Sequence, residues 1–180
     1  VPREWLRHVP HIHWGKRPPV AVYCSSPDRG LVTLLQDWTE VRRSWPGAEL
    51  RITYGWRHFD AAAHGDPRAQ AFKADIARML QQEGISYLGE LPTQRLREEL
   101  IAARWWVHPL NRPDSELFCL NAVKARSCGA LPVVLHQAVS GLADTVDQHV
   151  AYGDWVRGAE EIRGGGSCGT AVGALSWDKL

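Results

Sequence analysis

The sequence predicts an α/β fold in which a doubly wound parallel sheet is covered by helices on both faces. Short apolar runs of the buried-strand type alternate with amphipathic helical stretches five or six times along the chain. The connections between them are short, as is usual where strands and crossover helices follow one another. The 180 residues favour one domain with a sizeable core.

The predicted elements show no internal repeat. Strands are predicted over 19–25, 49–55, 85–89, 105–109, 131–135 and 149–152. Helices are predicted over 31–45, 67–84, 92–103, 118–129 and 154–162. The stretch 56–66 is predicted to be a loop.

Each element carries a local signal. The first strand is rich in β-branched residues. The helix after it repeats leucine, tryptophan and valine at the spacing of one helical face, and Ser26 or Asp28 is expected to cap its start. A Pro-Gly pair ends this helix, and Gly84 and Gly129 end the second and fourth helices. The later strands are apolar runs bounded by turn residues.

The composition changes at both ends of the chain. Residues 1–18 are basic, contain proline and histidine and show no periodicity, which predicts a lead-in or linker before a domain over 19–162. Residues 163–180 form a predicted glycine-rich tail. Within it, GGGSCG (164–169) matches G-x-G-x-x-G, but it follows no strand and too little chain remains for the acidic residue of a dinucleotide site.

Composition excludes several classes of function. The net charge is +1 and no dense Lys/Arg run is present, which argues against a nucleic-acid partner. No apolar stretch approaches the roughly 20 residues of a transmembrane helix, and the N-terminus lacks the apolar core of a signal peptide. The four cysteines show no C-x-x-C spacing, so no metal site is expected, and reduced thiols suggest a cytoplasmic protein. Because the chain begins with valine, we expect it to be a piece of a longer protein.

The first candidate site follows the first strand. Ligands of parallel sheets bind beyond the carboxyl ends of the strands, which selects the loops 24–30, 55–60, 89–92 and 109–118. SSPDRG lies where the first strand meets a helix N-terminus, at which backbone N–H groups and the helix dipole favour an anion. Arg29 gains nothing from that dipole. It is either a ligand-binding cation or a solvated side chain.

The second candidate site is the stretch PLNRPDSELF before the fourth helix. Glu116 is favourable near a helix N-terminus for electrostatic reasons alone, worth about 0.3–1 kcal/mol. It could equally accept hydrogen bonds from sugar hydroxyls. The N–H groups of Phe118, Cys119 and Leu120 could hold a phosphate beside it.

Five segments in order resemble the C-terminal, donor-binding domain of GT-B glycosyltransferases of family 4, also called glycosyl transferases group 1. They are YCSSPDRGLVTLLQDW, AELRITYGW, ISYLGELPTQRLREELIAARWWVHP, SELFCLNAVKARSCGALPVV and SGLADTV. Together they extend from about residue 20 to residue 146. The resemblance implies a Rossmann-like sheet that forms one half of a GT-B protein.

The resemblance also implies roles for individual residues. Arg29 matches a basic residue that contacts the donor diphosphate. Glu116 matches the first glutamate of an E-x7-E motif, which contacts the donor sugar, and this match makes Glu116 the candidate catalytic residue. Gly55 and Trp56, together with the stretch 89–91 that includes Gly89 and Leu91, match loops that line the nucleotide base. The other residues implied to lie at the nucleotide sugar are Ser26, Gly30, Phe118, Cys119, Leu120 and Lys124.

Three positions depart from the family pattern. Lys124 stands where the family has the second glutamate, and an ammonium cannot accept hydrogen bonds from ribose hydroxyls. An earlier basic residue of the family falls at Tyr23, and the serine after the first glutamate is Leu117. These departures leave two functions open.

The first is the donor domain of a retaining glycosyltransferase that transfers a hexose-type sugar from a UDP- or GDP-sugar, without a metal or other cofactor. Its acceptor domain would be absent from this chain, the isolated piece would be inactive, and any membrane contact would come through the absent domain. The second is a degenerate, non-catalytic nucleotide-binding or interaction module. An epimerase of the same architecture and a dehydrogenase fit the motifs less well.

Overall fold

The computed structural model describes residue 5, residues 12–110 and 119–135, residue 146 and residues 148–163. For residues 162 and 163 it describes the backbone only. The strands are β1 (Val20–Tyr23), β2 (Glu49–Ile52), β3 (Ile85–Tyr87), β4 (Trp105–His108), β5 (Leu131–Val134), β6 (His149–Ala151) and β7 (Ile162–Arg163). The helices are α1 (Leu31–Ser44), α2 (Arg57–Ala62), α3 (Pro67–Met79), α4 (Thr93–Ala102), α5 (Leu120–Ser127) and α6 (Tyr152–Val156), with a 3-10 turn at Trp14–Lys16.

The seven strands form one sheet in the order β3-β2-β1-β4-β5-β6-β7. All neighbours pair in parallel except β6 and β7, which are antiparallel. Ala21 of β1 aligns with Leu50 on one side and with Trp105 on the other. The chain therefore winds outward in one direction from β1 and in the other from β4. A crevice between these two strands is where doubly wound sheets bind ligands.

Alternation along the strands divides the core between the two faces of the sheet. Ala21 and Trp105 belong to the cluster packed against α1, α3 and α6. Val22 and Trp106 belong to the cluster packed against α4 and α5. Successive side chains of a strand point to opposite faces, so the continuous apolar runs of the sequence serve both layers at once. The predicted doubly wound α/β fold is confirmed.

Three local predictions were wrong. The predicted loop 56–66 contains α2, since Trp56 and Phe59 pack edge to face at 5.2 Å and hold a short helix there. The predicted helix 154–162 is shorter and earlier, at Tyr152–Val156, and the chain then forms β7 on the edge of the sheet. Neither Ser26 nor Asp28 caps α1. Gly30 is its N-cap, with φ of 92° and no side-chain hydrogen bond.

The lead-in predicted over 1–18 includes residues that pack on the domain. Arg17 is buried, and its guanidinium donates to the carbonyl oxygens of Ala103 and Cys128 at 2.9 and 3.0 Å. These two residues are the C-caps of α4 and α5, where unsatisfied carbonyl groups favour a cation. The predicted tail lies outside the described residues from residue 164 onward. Within the described part of the chain, no helix is long and apolar enough to cross a bilayer.

Candidate functional site

At the crevice between β1 and β4, the start of α1 approaches the chain that follows β4 through a backbone contact that only glycine allows. A Cβ atom added to Gly30 would lie 2.3 Å from the carbonyl oxygen of Pro109, which follows β4. Gly30 also has a φ of +92°, in the left-handed region that glycine adopts without strain. The start of α1 is thereby held against the carboxyl end of β4, at the position where the fold predicts ligand binding.

The loop between β1 and α1 is held in shape by Tyr23. The Tyr23 hydroxyl oxygen lies 2.6 Å from the carbonyl oxygen of Ser26 and 3.1 Å from that of Arg29. The Ser26 hydroxyl donates to the Asp28 carboxylate. Burial raises the pKa of Tyr23, so the phenol stays protonated. At this position, where the family places a basic residue, the chain has a buried side chain that fixes the loop.

A buried histidine connects the two strand ends. Nδ1 of His108 lies 3.2 Å from the Ser25 hydroxyl, and its ring stacks on Trp106 with an interplanar angle of 11°. Burial, followed by the positive charge of Arg29, lowers the pKa of His108 to about 4. The imidazole is therefore neutral at pH 7.

Helix α5 begins next to the end of β1. Nδ2 of Asn121 donates to the carbonyl oxygen of Cys24 at 2.8 Å, and Cys24 Sγ accepts from Nε1 of Trp106 at 3.3 Å. Cys119 is the N-cap of α5, and the side chain of Leu120 is 51% exposed. Burial raises the pKa of Cys24 to about 12, so this thiol is not a nucleophile. The N-termini of α1 and α5 thus lie on either side of the β1 end.

Lys124 makes a contact that no sequence pattern predicted. Its ammonium nitrogen lies 5.3 Å from the centroid of the Trp5 ring, and Trp5 is 1% exposed in the core layer under α5. Lys124 follows Asn121 by three residues, so both lie on one face of the helix. The side chain of Lys124 therefore binds an indole of this same chain.

The loops after β2 and β3 meet each other. A Cβ atom on Gly55 would lie 2.9 Å from Cβ of Glu90, and Glu90 pairs with Arg57 at 3.0 Å. Gly89 has a φ of +69°. Leu91 and Trp56 are half-buried beside this contact. The structure thus brings together the two loops to which the resemblance assigns the base.

The predicted site residues therefore fall into two groups with respect to the structure. Those that lie at the carboxyl edge of the described sheet are Ser26, Arg29, Gly30, Gly55, Trp56, Gly89, Leu91, Cys119, Leu120 and Lys124. Glu116 and Phe118 lie outside the described residues. No group of three or more metal-ligating side chains occurs among the residues that the structure describes.

Sequence reasoning missed Ser25, His108 and Asn121. Ser25 and His108 stand at the ends of apolar strands, and Asn121 stands in the first turn of a helix. Polar residues at those positions could have predicted a place in the site, because the carboxyl ends of parallel strands lie at one edge of the sheet. Chemically, the described residues offer two helix N-termini, with Arg29 directly before the N-cap of α1, beside a crevice with a neutral histidine. Such an arrangement suits a bound anion.

No protein family model matches the sequence, and no curated protein matches it. Solved structures do match the fold. A UDP-forming α,α-trehalose-phosphate synthase from Burkholderia xenovorans has a TM-score of 0.58 and 14% identity over 86% of this chain and 38% of its own. A sucrose-phosphate synthase from Thermosynechococcus elongatus has a TM-score of 0.54 and 19% identity over 74% of this chain and 32% of its own.

The pneumococcal O-GlcNAc transferase GtfA, in a crystal structure with UDP and GlcNAc, has a TM-score of 0.54 and 14% identity over 74% of this chain and 24% of its own. The chain thus spans between about a quarter and two fifths of each of these three proteins. At these identities the likeness concerns the fold. The chain has the fold of one Rossmann-like domain of a GT-B glycosyltransferase.

Proposed function

We propose that this chain is the donor-binding domain of a retaining glycosyltransferase, and that it binds the diphosphate of a nucleotide sugar at the crevice between β1 and β4. The observation that carries the proposal is the arrangement of Arg29 with two helix N-termini around that crevice. Arg29 directly precedes the N-cap of α1, and α5 begins against the end of β1, where Asn121 donates to the carbonyl oxygen of Cys24. A diphosphate carries the negative charge that such a site stabilises.

The neutral state of His108 suits this role. An imidazole with a pKa of about 4 is neutral near pH 7, so His108 contributes no charge to the site. Stabilisation of the leaving diphosphate by fixed donors requires no metal ion. The acceptor domain and the transferred hexose would be supplied outside this chain, and we expect no turnover by the 180 residues alone.

The first experiment is a calorimetric titration with UDP, GDP, ADP, UDP-glucose and GDP-mannose. We expect millimolar or tighter binding to one base, because the loops after β2 and β3 are already in contact. One solved relative in fold is described as UDP-forming and another contains UDP, which favours a uridine nucleotide. Arg29→Ala should weaken binding by about tenfold or more, since hydrogen bonds to charged groups contribute about 1.5–3 kcal/mol.

The matched control is Arg43→Ala. Arg43 lies in the last turn of the same helix, 70% exposed and paired with Glu40, far from the crevice. Nucleotide affinity should not change in this variant. Equal loss in both variants, or no binding to any nucleotide at any concentration tested, would exclude the proposed role for Arg29.

The contact between Lys124 and Trp5 favours a second candidate, a degenerate module whose nucleotide site is no longer complete. Helix α5 contains no carboxylate, and the ammonium of Lys124 lies against the Trp5 indole and cannot accept a hydrogen bond from a ribose. Lys124→Glu separates the two functions. Higher nucleotide affinity in this variant would identify a degenerate site, and lower affinity would identify Lys124 as an adapted contact of a working donor site.

A further inference from the structure

A charged cluster lies at the amino edge of the sheet, opposite the edge that carries the candidate nucleotide site. Its centre is Arg104, the residue before β4, whose backbone is bonded on both sides. The Arg104 N–H donates to the carbonyl oxygen of Val20 at 2.9 Å, and the Arg104 carbonyl oxygen accepts from the N–H of Leu131 at 2.9 Å. The Arg104 side chain is only 18% exposed, so its charge requires partners within the protein.

The guanidinium of Arg104 lies among three indole rings. Its central carbon is 4.8 Å from the ring centroid of Trp105, 5.3 Å from that of Trp45 and 5.8 Å from that of Trp14. A guanidinium within about 6 Å of an aromatic centroid is attracted to the ring. The three rings come from separate parts of the chain, namely β4, the C-cap of α1 and the 3-10 turn of the lead-in. The cluster therefore connects the lead-in to the start of β4.

Glu160, from the stretch between α6 and β7, completes the cluster. Its two carboxylate oxygens accept from Nε and Nη2 of Arg104 at 3.0 and 2.6 Å, the bidentate geometry of the strong ion pairs. The same carboxylate accepts from Nε1 of Trp105. Glu160 is 12% exposed. Because both ions are mostly withdrawn from water, removal of one would leave the other without compensation, so each holds the other in place.

A turn after α6 brings Glu160 to Arg104. Gly158 has a φ of +82°, and its N–H donates to the carbonyl oxygen of Trp155 at 3.0 Å. Nε1 of Trp45 donates to that same oxygen at 2.7 Å. Beyond Glu160 the chain continues into β7, which pairs with β6 over two residue pairs. A strand with so short a ladder has little backbone pairing to hold it, so the contact of Glu160 carries weight there.

We propose that Arg104 couples the 3-10 turn of the lead-in to the β7 segment, so that the two segments detach from the amino edge together. Trp14 contacts the guanidinium by its ring, and Glu160 binds its Nε and Nη2 atoms. Loss of either partner leaves the guanidinium less well fixed for the other. Such a coupling is reciprocal, because it is a free energy shared by the two contacts. It involves no residue of the nucleotide site and does not rest on the proposed function.

The test is hydrogen exchange of backbone amides in the 180-residue chain, measured in the β6–β7 ladder and in the 3-10 turn. Glu160→Gln keeps the side-chain shape and removes the charge. We expect exchange in the ladder to become about tenfold faster or more, since a hydrogen bond between charged groups is lost. The N–H groups of Lys16 and Arg17, which donate to carbonyl oxygens of the turn, should exchange about threefold faster although their own contacts are unchanged.

The reciprocal variant is Trp14→Leu, which removes a ring from the guanidinium and leaves Glu160 in place. Exchange in the β6–β7 ladder should become about threefold faster, the effect of one cation–π contact. In the double variant the acceleration should be smaller than the product of the two single effects, because both substitutions remove the same coupling. Arg104→Lys keeps the charge without the bidentate geometry and should accelerate exchange in both segments at once.

The matched control is Glu161→Gln, since Glu161 is the next residue and is exposed. It should leave exchange in both segments unchanged. Amides of β1 report unfolding of the whole domain. Acceleration confined to the segment that carries the substitution, independent effects in the double variant, or an equal acceleration in β1 would each overturn the coupling. The last outcome would show that Arg104 contributes only to the overall stability of the domain.

Discussion

The ammonium nitrogen of Lys124 lies 5.3 Å from the centroid of the Trp5 ring, which is 1% exposed. This pair ties helix α5 to a residue of the predicted lead-in. It also gives a structural reason for a cation at position 124, since a carboxylate there would face the negative side of an aromatic ring.

Removal of this cation should therefore destabilise the fold. Lys124→Met keeps the apolar stem and deletes the charge, and we expect the free energy of unfolding to fall by about 1 kcal/mol, within the range of cation–π pairs. For a chain of this size that is about 2–4 °C in Tm. Thermal unfolding of Lys124→Met measures this change in Tm. The control is Lys16→Met, because Lys16 is an exposed lysine of the 3-10 turn. Equal Tm values for the two variants would contradict the contact.

The contact of Gly30 with Pro109 should be intolerant of any side chain. Gly30→Ala places a Cβ 2.3 Å from a backbone oxygen in addition to the left-handed φ, and we expect a loss of at least about 3 kcal/mol. Gly47 also has a positive φ, of +79°, but nothing lies within 4 Å of its added Cβ. Gly47→Ala should therefore cost only about 1–2 kcal/mol. Urea unfolding measures the free energy of unfolding of both variants. Similar losses in the two would show that the close approach of Gly30 to Pro109 does not limit the side chain at position 30.

Stability should fall in mild acid because of His108. Its folded pKa of about 4 lies below the ordinary value of 6.5, so the unfolded chain binds the additional proton between these two pH values. This contribution is fully present above pH 6.5 and is lost as the pH falls towards 4. Each unit of pKa difference corresponds to about 1.4 kcal/mol, so His108 contributes about 3 kcal/mol to the free energy of unfolding at neutral pH.

Urea unfolding between pH 7 and pH 4.5 measures the effect. His108→Phe retains a flat ring against Trp106 and removes the titrating group, so the fall in stability across this range should be smaller in the variant. An identical pH dependence in the two proteins would assign the acid sensitivity to other groups.

Arg17 should be a main anchor of the lead-in. Arg17→Met leaves the carbonyl oxygens of Ala103 and Cys128 without their charged donor, and we expect a loss of about 3 kcal/mol, at about 1.5–3 kcal/mol for each such bond. Arg43→Met, at an exposed site, should change stability by less than about 0.5 kcal/mol. Chemical denaturation compares them. Arg17→Lys should be intermediate, since an ammonium cannot span both helix ends.

The sequence allowed the layer architecture to be predicted because burial on both faces leaves a direct trace in composition. The run WWVH predicted β4, and the structure places its tryptophans in opposite layers. The repeat of leucine, tryptophan and valine predicted α1 to within a residue. Local signals failed where tertiary contacts decided the outcome. Trp56 and Phe59 stabilise a helix in a stretch that looked like a loop, and β7 forms because β6 offers it an edge.

The sequence by itself determined the alternation of strands and helices, and hence the edge of the sheet at which a ligand can bind, because hydrophobic periodicity is a property of neighbouring residues. Only the tertiary structure decided which residues meet at that edge. Ser25 and His108 are 83 residues apart, and Lys124 and Trp5 are farther apart still. No local pattern encodes such a contact, since it depends on strand order and on helix packing across the whole domain.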